Sequence, residues 1–128
     1  MTTIRAVRRE ELDEMCELIA TAYAGRVRDA AAVRLALEAE GGPAFNLELN
    51  RVLEIDGRLA ARIAIINREM YFHGGVLRVG GIGGVCTDPA HRGKGLCKLL
   101  LDDCTNVMKK MGFDVSLLYG LAACQAGH

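Results

Sequence analysis

The sequence has no tryptophan and only two prolines. Its formal net charge is zero, which argues against several classes of binding protein. A general binder of nucleic acid or of membrane surfaces would need a basic face, which 16 basic and 16 acidic residues do not suggest. No apolar run reaches the roughly 18 residues of a membrane span, and the N-terminus lacks the apolar core of a signal peptide. We therefore expect a cytoplasmic protein without a nucleic-acid or membrane partner.

Cysteine and histidine are also sparse in informative arrangements. The five cysteines include no Cys-x-x-Cys pair, and an odd number argues for reduced thiols rather than a disulfide framework. The three histidines are scattered, so the sequence predicts no metal site. With 128 residues, of which 51% are hydrophobic, the chain can form one domain with a real core.

The most informative stretch is residues 85–97, Val-Cys-Thr-Asp-Pro-Ala-His-Arg-Gly-Lys-Gly-Leu-Cys. An apolar strand pattern ends at its Asp-Pro turn, and a helical pattern begins at Gly95. Gly93 and Gly95 let the backbone approach a ligand closely. The first amides of the helix, its dipole, and the side chains of Arg92 and Lys94 all favour an anion there. The pattern predicts a phosphate cradle.

Two better-known phosphate loops do not fit this stretch. A Walker A loop has glycine where Asp88 stands. It ends in Lys-Ser or Lys-Thr, whereas this chain continues as Lys94-Gly95-Leu96. A dinucleotide fingerprint needs a third glycine at position 98, which is lysine here. Neither an NTPase nor a dinucleotide-binding site is therefore expected.

The stretch resembles the acyl-CoA pyrophosphate loop of the GNAT superfamily of N-acetyltransferases. That family's Arg/Gln-x-x-Gly-x-Gly/Ala pattern maps onto Arg92, Gly95 and Cys97, with cysteine as the small last residue. The wider run from Gly80 to Gly95 is most similar to the enhanced-intracellular-survival (Eis-like) branch. The likeness covers residues 3–119. It implies transfer of an acetyl group from acetyl-CoA to a primary amine by direct attack.

The resemblance also implies roles for individual residues. The strand before the loop would splay from its parallel neighbour, and Val85, Cys86 and Thr87 would bind the pantetheine arm and polarise the thioester carbonyl. The pyrophosphate would be surrounded by Arg92, Gly93, Lys94, Gly95, Leu96 and Cys97. The glycines at 80, 81, 83 and 84 would permit a bulge or close ligand approach, or else would let a helix pack on the strand.

Hydrophobic periodicity predicts an α/β (α+β) fold with the order β-α-α-β-β-β-α-β and a mixed, mostly antiparallel sheet, as in the GNAT fold. The predicted strands and helices span residues 3–8, 10–24, 29–40, 45–55, 59–72, 76–87, 95–111 and 113–119. In the helix predicted over 95–111, the residues that we expect to face inward are Leu96, Leu99, Leu100, Val107, Met108 and Met111. Family members continue with a further helix and two strands, so we expect 1–128 to be a single domain shortened at its C-terminus.

Catalytic residues are weakly indicated. Glu48, Glu54 and Glu69 lie on strand patterns and are candidate general bases, although each fits equally well as the solvent-facing half of a strand. Tyr119, at the end of the last strand, is a weak candidate proton donor. Cys86 is expected to be a buried spectator, because no neighbouring group would activate its thiol.

Two alternatives to an acetyltransferase stay open. A chain without the C-terminal elements of the family could be a non-catalytic acyl-CoA-binding or regulatory module. It could also need a partner chain to complete the site, or could form a homo-oligomer, because the last strand leaves an open sheet edge. The acceptor is expected to be an amine of a small molecule or of a lysine side chain, by analogy alone.

Overall fold

A computed structural model of the chain describes residues 1–22 and 46–118. The strands and helices there are β1 (Thr2–Ala6), α1 (Leu12–Ala22), β2 (Asn50–Ile55), β3 (Arg58–Phe72), β4 (Gly75–Thr87), α2 (Leu96–Met111) and β5 (Val115–Leu118). Short 3-10 turns occupy Arg9–Glu11, Leu47–Leu49 and Pro89–His91. The predicted α/β fold is confirmed, and the helix predicted over 29–40 lies outside the described residues.

The five strands form one mixed sheet in the order β1-β2-β3-β4-β5. The first four are antiparallel neighbours, and β5 runs parallel to β4 with Val79 opposite Val115 and Ile82 opposite Leu118. Helix α2 makes the crossover between these two parallel strands, as the strand-helix-strand pattern predicts. The β4–α2 connection, which carries the predicted cradle, thus leaves from the end of a strand inside the sheet.

Two-residue turns join the antiparallel strands. Asp56 and Gly57 connect β2 to β3 with φ of 50° and 83°, and His73 and Gly74 connect β3 to β4 with φ of 50° and 78°. Positive φ at both central residues is the geometry of the hairpin turns that match strand twist.

The core has two parts, one on each face of the sheet. Leu53 and Val85 pack with α2 in one cluster, whereas their neighbours Val52 and Cys86 pack with α1 in the other. Successive strand residues point to opposite faces, so the two helices cover opposite sides of the sheet. Strand β4 is consequently packed on both faces next to the predicted cradle.

One of the six α2 residues predicted to face inward is exposed. The helix buries Leu96, Cys97, Leu100, Cys104 and Met108. Val107 and Met111 are partly buried against the same cluster, whereas Leu99 is 45% exposed. The buried residues recur mainly at i and i+4, and Leu99 falls beside that stripe. Its predicted inward orientation was wrong.

Two further expectations fail at strand ends. Residues 47–49, predicted as strand from the alternation of leucines, form a 3-10 turn in which Asn46 Oδ1 accepts from Glu48 N at 2.9 Å. Asparagine bonding to the backbone in this way competes with a sheet ladder. In β5, Val115 and Leu117 are 37% and 36% exposed rather than buried, because β5 is the edge of the described sheet.

Buried ion pairing fixes α2 on the sheet. Arg51 in β2 donates from Nε and Nη2 to the two carboxylate oxygens of Asp103 at 2.7 and 3.2 Å. After the end of the helix, Arg78 in β4 lies 4.2 Å from the centre of the Phe113 ring, and its backbone N donates to Asp114 at 2.8 Å. These contacts hold the middle of α2 and the segment that follows it against neighbouring strands.

The two neighbouring leucines of α2 provide a test of this packing. Leu100 is fully buried, so Leu100→Ala should lower the free energy of unfolding by about 2–5 kcal/mol. Leu99→Ala, at an exposed position of the same helix, should change it by about 0.5 kcal/mol or less. Urea unfolding measures both, and equal losses for the two variants would contradict the helix orientation.

Candidate functional site

A β-bulge interrupts β4 near its C-terminal end. Ala64 of β3 lies opposite Gly83, but the next matched pair is Arg62 and Cys86, so β4 carries one extra residue between them. Gly84 occupies the bulge with φ of +56°, a left-handed value that glycine adopts without strain. Gly84 is exposed between buried neighbours. The bulge therefore brings main chain of β4 to the surface.

The glycine run before the loop serves two purposes. A β-carbon at Gly80 would lie 2.4 Å from Met108 Sδ, so this glycine lets α2 pack on the strand. Gly84 instead forms the bulge. Both uses proposed for the glycines thus occur, at different positions.

The chain leaves β4 through a capped turn. Asp88 N donates to Ala60 O at 2.7 Å, which continues the contact between β4 and β3. Asp88 Oδ1 accepts from Ala90 N at 2.9 Å, and Pro89 begins the 3-10 turn that follows. An aspartate that bonds two residues ahead is a common turn device. The predicted Asp-Pro turn is confirmed, and it fixes the direction in which the loop starts.

Two left-handed glycines lead into α2. Gly93 and Gly95 have φ of +79° and +74°, and Gly95 is the N-cap residue of the helix. A β-carbon at either would meet nothing within 4 Å, so the backbone angle and not crowding makes glycine the fitting residue. Because Gly95 has no side chain that could cap the helix, the first turn presents its amides and its dipole to the loop.

The two cations of the loop have different contacts. Arg92 is exposed and donates from Nη2 to Ala22 O at 3.0 Å, so it joins the loop to the last described residue of α1. Lys94 is exposed, and its Nζ lies 3.4 Å from His91 Nδ1. Both charges lie within three residues of the helix start. The loop is thus positive beside a helix N-terminus, the arrangement that attracts phosphate.

The structure brings together the residues that the sequence assigned to cofactor binding. Residues 85–87 are the last three residues of β4, after the bulge. Residues 92–97 form the loop that precedes α2 and the start of that helix. Leu96 and Cys97 are buried in the core, so they support the cradle from beneath, while the glycines and cations form its outer part.

The glutamates proposed as bases lie elsewhere. Glu54 in β2 accepts from Arg5 Nη2 at 2.5 Å. Glu69 is exposed on β3 opposite Arg78, toward the hairpin end of that strand. Glu48 is 72% exposed and lies 3.7 Å from Arg51 Nη1. None of these three lies in β4 or in the loop, and Tyr119 lies outside the described residues.

Arg5 binds a second carboxylate. Its Nη1 and Nη2 donate to Glu11 Oε1 and Oε2 at 2.7 and 2.8 Å, so this pair is bidentate. The hydrogen bonds from Arg5 hold the pKa of Glu11 below its ordinary value, and the pKa of Arg5 is raised in turn. Glu54 therefore belongs to an ion network that joins β1, β2 and the turn before α1.

Sequence reasoning missed one cluster beside the bulge. Arg62 is 4% exposed and Asn50 is 6% exposed, although both are polar. Arg62 Nη2 donates to Asn50 Oδ1 at 2.8 Å, and Arg62 Nη1 donates to Gly84 O at 3.2 Å. The available signal was a single charged residue within the otherwise apolar run of residues 59–65. Such a residue needs buried partners.

The described cysteines are thiols in the core. Cys16, Cys86, Cys97 and Cys104 are all buried. Burial raises the pKa of Cys104 to about 12, and nearby Asp103 adds to this effect. Among the described residues, no group of three or more His, Cys, Asp or Glu side chains could hold a metal ion.

A cavity of about 570 Å³ lies between α1 and the β2–β3 turn, and it touches the turn before the cradle at Asp88 and His91. Four carboxylates are among its lining residues: Glu14, Glu17, Asp56 and Asp88. An acidic lining repels phosphate, and none of residues 92–97 lines this cavity. The cavity is therefore separate from the predicted cradle.

Comparison with known families identifies the fold. Residues 3–125 match the family model described as acetyltransferase (GNAT) domain, which is nearly the whole chain. The chain belongs to the GNAT acetyltransferase family. The predicted family is confirmed at this level. No curated protein matches the chain significantly, and no described helix is both long and apolar enough to cross a membrane.

Solved structures show the same GNAT fold at low identity. A GCN5-related N-acetyltransferase from Kribbella flavida is 18% identical with a TM-score of 0.82 over 98% of this chain and 32% of its own. One from Ralstonia eutropha is 20% identical with a TM-score of 0.76 over 98% and 88%. A GNAT family acetyltransferase from Brucella melitensis, solved with acetyl-CoA, is 21% identical with a TM-score of 0.72 over 98% and 80%. This GNAT chain thus spans about a third of the Kribbella protein.

The Arg5 network predicts a pH dependence. Because the pKa of Glu11 is lower in the folded protein, the unfolded chain binds more protons below about pH 4.5, and the stability from this pair is lost as the pH falls. Glu11→Gln should therefore destabilise the protein at neutral pH and progressively less in acid. Urea unfolding across this range measures the difference, with exposed Glu10→Gln as control. A loss that does not change with pH would contradict the network.

Proposed function

We propose that this chain is an acetyl-CoA-dependent N-acetyltransferase that acts on a primary amine. The observation that carries the proposal is the sequence of a glycine bulge in β4, a capped turn, and a helix that begins at a left-handed glycine just after two cations. These features offer strand backbone for an extended ligand and helix amides for its phosphates. Membership of the GNAT family supports acetyl-CoA as that ligand, as does its presence in the Brucella structure.

Each part of the site would have its own role. Residues 92–97 would hold the pyrophosphate through helix amides and through Arg92 and Lys94. Val85, Cys86 and Thr87 would align the pantetheine arm along β4 and donate backbone hydrogen bonds that polarise the thioester carbonyl. Bound acetyl-CoA supplies the activated acetyl group. The amine would attack its carbonyl directly, with Cys86 as a buried spectator.

Deprotonation of the amine has no assigned residue. Glu54 bonds to Arg5, and Glu69 lies toward the far end of β3, so either would reach the acceptor only through water or a proton relay. Tyr119 stays a candidate acid because it directly follows the last described strand residue, parallel to β4. A base must lie within hydrogen-bond reach of the proton that it removes. The acceptor is proposed only as a class, a small-molecule or lysine amine.

Narrower assignments rest on the motif. The run from Gly80 to Gly95 supports the Eis-like branch within the GNAT family. Buried thiols support a reducing, cytoplasmic location. Residues 1–128 are proposed as one GNAT domain.

Charge reversal at Lys94 tests the cradle most cleanly. Arg92 also bonds to the end of α1, whereas Lys94 is exposed and, among the described residues, has only its neighbour His91 as a side-chain partner. Lys94→Glu should weaken acetyl-CoA binding about tenfold or more in calorimetry, because it places a negative charge beside phosphate. Arg92→Glu combined with Gly95→Asp should abolish binding.

The matched control is Lys110→Glu, which makes the same charge change at the opposite end of α2. This variant should bind acetyl-CoA like the unaltered protein. Equal weakening by the two single reversals would show a general charge effect and would contradict the cradle.

Turnover separates the enzyme from a non-catalytic acyl-CoA-binding module. Release of CoA thiol, followed with a thiol reagent, should depend on both acetyl-CoA and an added amine from a panel of aminoglycosides, polyamines and lysine peptides. Acetyl-CoA binding without transfer to any amine would favour the non-catalytic alternative, or a site that needs a partner chain.

A further inference from the structure

We propose that Arg62 is a positioning residue that clamps the β4 bulge and thereby sets the direction of the backbone at residues 84–86. The inference rests on the proposed function, in which this backbone receives the thioester. Arg62 is 4% exposed and lies on β3 opposite Cys86, directly beside the bulge. A cation buried within an apolar strand costs free energy unless its hydrogen bonds are made. Its partners therefore show what the residue is held there to do.

The two arms of the guanidinium reach opposite neighbouring strands. Nη1 donates to Gly84 O on β4 at 3.2 Å, and Nη2 donates to Asn50 Oδ1 on β2 at 2.8 Å. Asn50 is fixed in turn, because its Nδ2 donates to Asn46 O at 3.0 Å and its carbonyl accepts from Val7 N at 2.8 Å. The bulge is thus tied through one rigid fork to the start of β2.

The Arg62 fork and the backbone angle both disfavour a β-carbon at position 84. A β-carbon there would lie 2.3 Å from Arg62 Nη1 and 3.2 Å from Cζ. The φ of +56° independently disfavours a side chain. The space that glycine leaves is therefore occupied by the cation that bonds the glycine's own carbonyl. Arg62 and Gly84 thus form one hydrogen-bonded unit.

The clamp acts at the point where sheet pairing is interrupted. A bulge breaks the ladder locally, so its carbonyl must find a donor outside the regular strand pairing. Arg62 supplies that donor from the α1 side of the sheet, the side on which its cross-strand neighbours Val52 and Cys86 pack. Fixing the Gly84 carbonyl fixes the plane of the next peptide, and so the direction of its amide.

Arg51 is a matched control for this role. It is 8% exposed and is also held by a forked hydrogen bond, but its partner is Asp103 on α2 rather than the bulge. Arg51→Met and Arg62→Met both remove a buried guanidinium from the sheet. A purely structural role for Arg62 would make the two variants behave alike toward the cofactor.

The first experiment needs no cofactor. Amide hydrogen exchange of the peptide that covers residues 83–87 should be about tenfold faster in Arg62→Met than in the unaltered protein, because the bulge loses its anchor. Arg51→Met should leave that peptide unchanged. Unchanged exchange in Arg62→Met, or an equal rise over the whole sheet, would overturn the clamp. If Arg62→Met does not fold, Asn50→Ala, which releases only one arm, takes its place with the same expectation.

The second experiment compares two ligands by calorimetry. Acetyl-CoA spans the cradle and β4, whereas adenosine 3′,5′-bisphosphate carries phosphates without the pantetheine arm. Arg62→Met should weaken acetyl-CoA binding about tenfold and leave the nucleotide's affinity unchanged, and Arg62→Lys should restore part of the loss. Equal loss for both ligands, or equal loss in Arg51→Met, would contradict a positioning role.

The two experiments separate failure of the inference from failure of the proposed function. If the unaltered protein binds no acetyl-CoA, the proposed function fails, and the exchange result still decides whether Arg62 clamps the bulge. If it binds acetyl-CoA and Arg62→Met binds equally well, the function stands and the positioning role is wrong.

Discussion

The guanidinium of Arg62 fills the space that a β-carbon at position 84 would need, and the proposed acetyl-CoA site begins at the bulge that this contact holds. Strand β4 packs on both faces, with Val85 against α2 and Cys86 against α1, so these side chains are occupied by core packing. A ligand can use such a strand only through its main chain. The bulge at Gly84 exposes that main chain, and the fork of Arg62 fixes it to β2. The Pro89–His91 turn and the N-terminus of α2 come directly after this part of β4.

Local chemistry made much of this predictable from the sequence. Gly95 and Gly112 mark the start and end of α2 because both need left-handed backbone angles, and Asp56-Gly57 marks a hairpin for the same reason. The spacing of Arg92, Gly93 and Gly95 indicated a phosphate cradle before any contact was known. These features depend on neighbours within a few residues, and short motifs record such neighbours directly.

The remaining features depend on contacts that no local pattern encodes. Glu54 read as a candidate base, but its partner Arg5 lies 49 residues away on β1. The leucines at 47 and 49 alternate as in a strand, yet the hydrogen bond from Glu48 N to Asn46 Oδ1 turns the chain there. Leu99 is as apolar as the buried residues of α2, but it lies at a different angle around the helix axis. Arg62 is one charged residue in an apolar run, and only the folded structure shows its partners Gly84 and Asn50.

The central claim is that the β4 bulge and the α2 N-terminus form one acetyl-CoA site. A titration of ¹⁵N-labelled protein with acetyl-CoA, followed by amide chemical shifts, tests it residue by residue. The account predicts saturable shifts at a 1:1 ratio that concentrate at residues 84–87 and 93–98, with little change at the acidic cavity beside Glu14 and Glu17. Shifts centred on that cavity, or none at all, would contradict it.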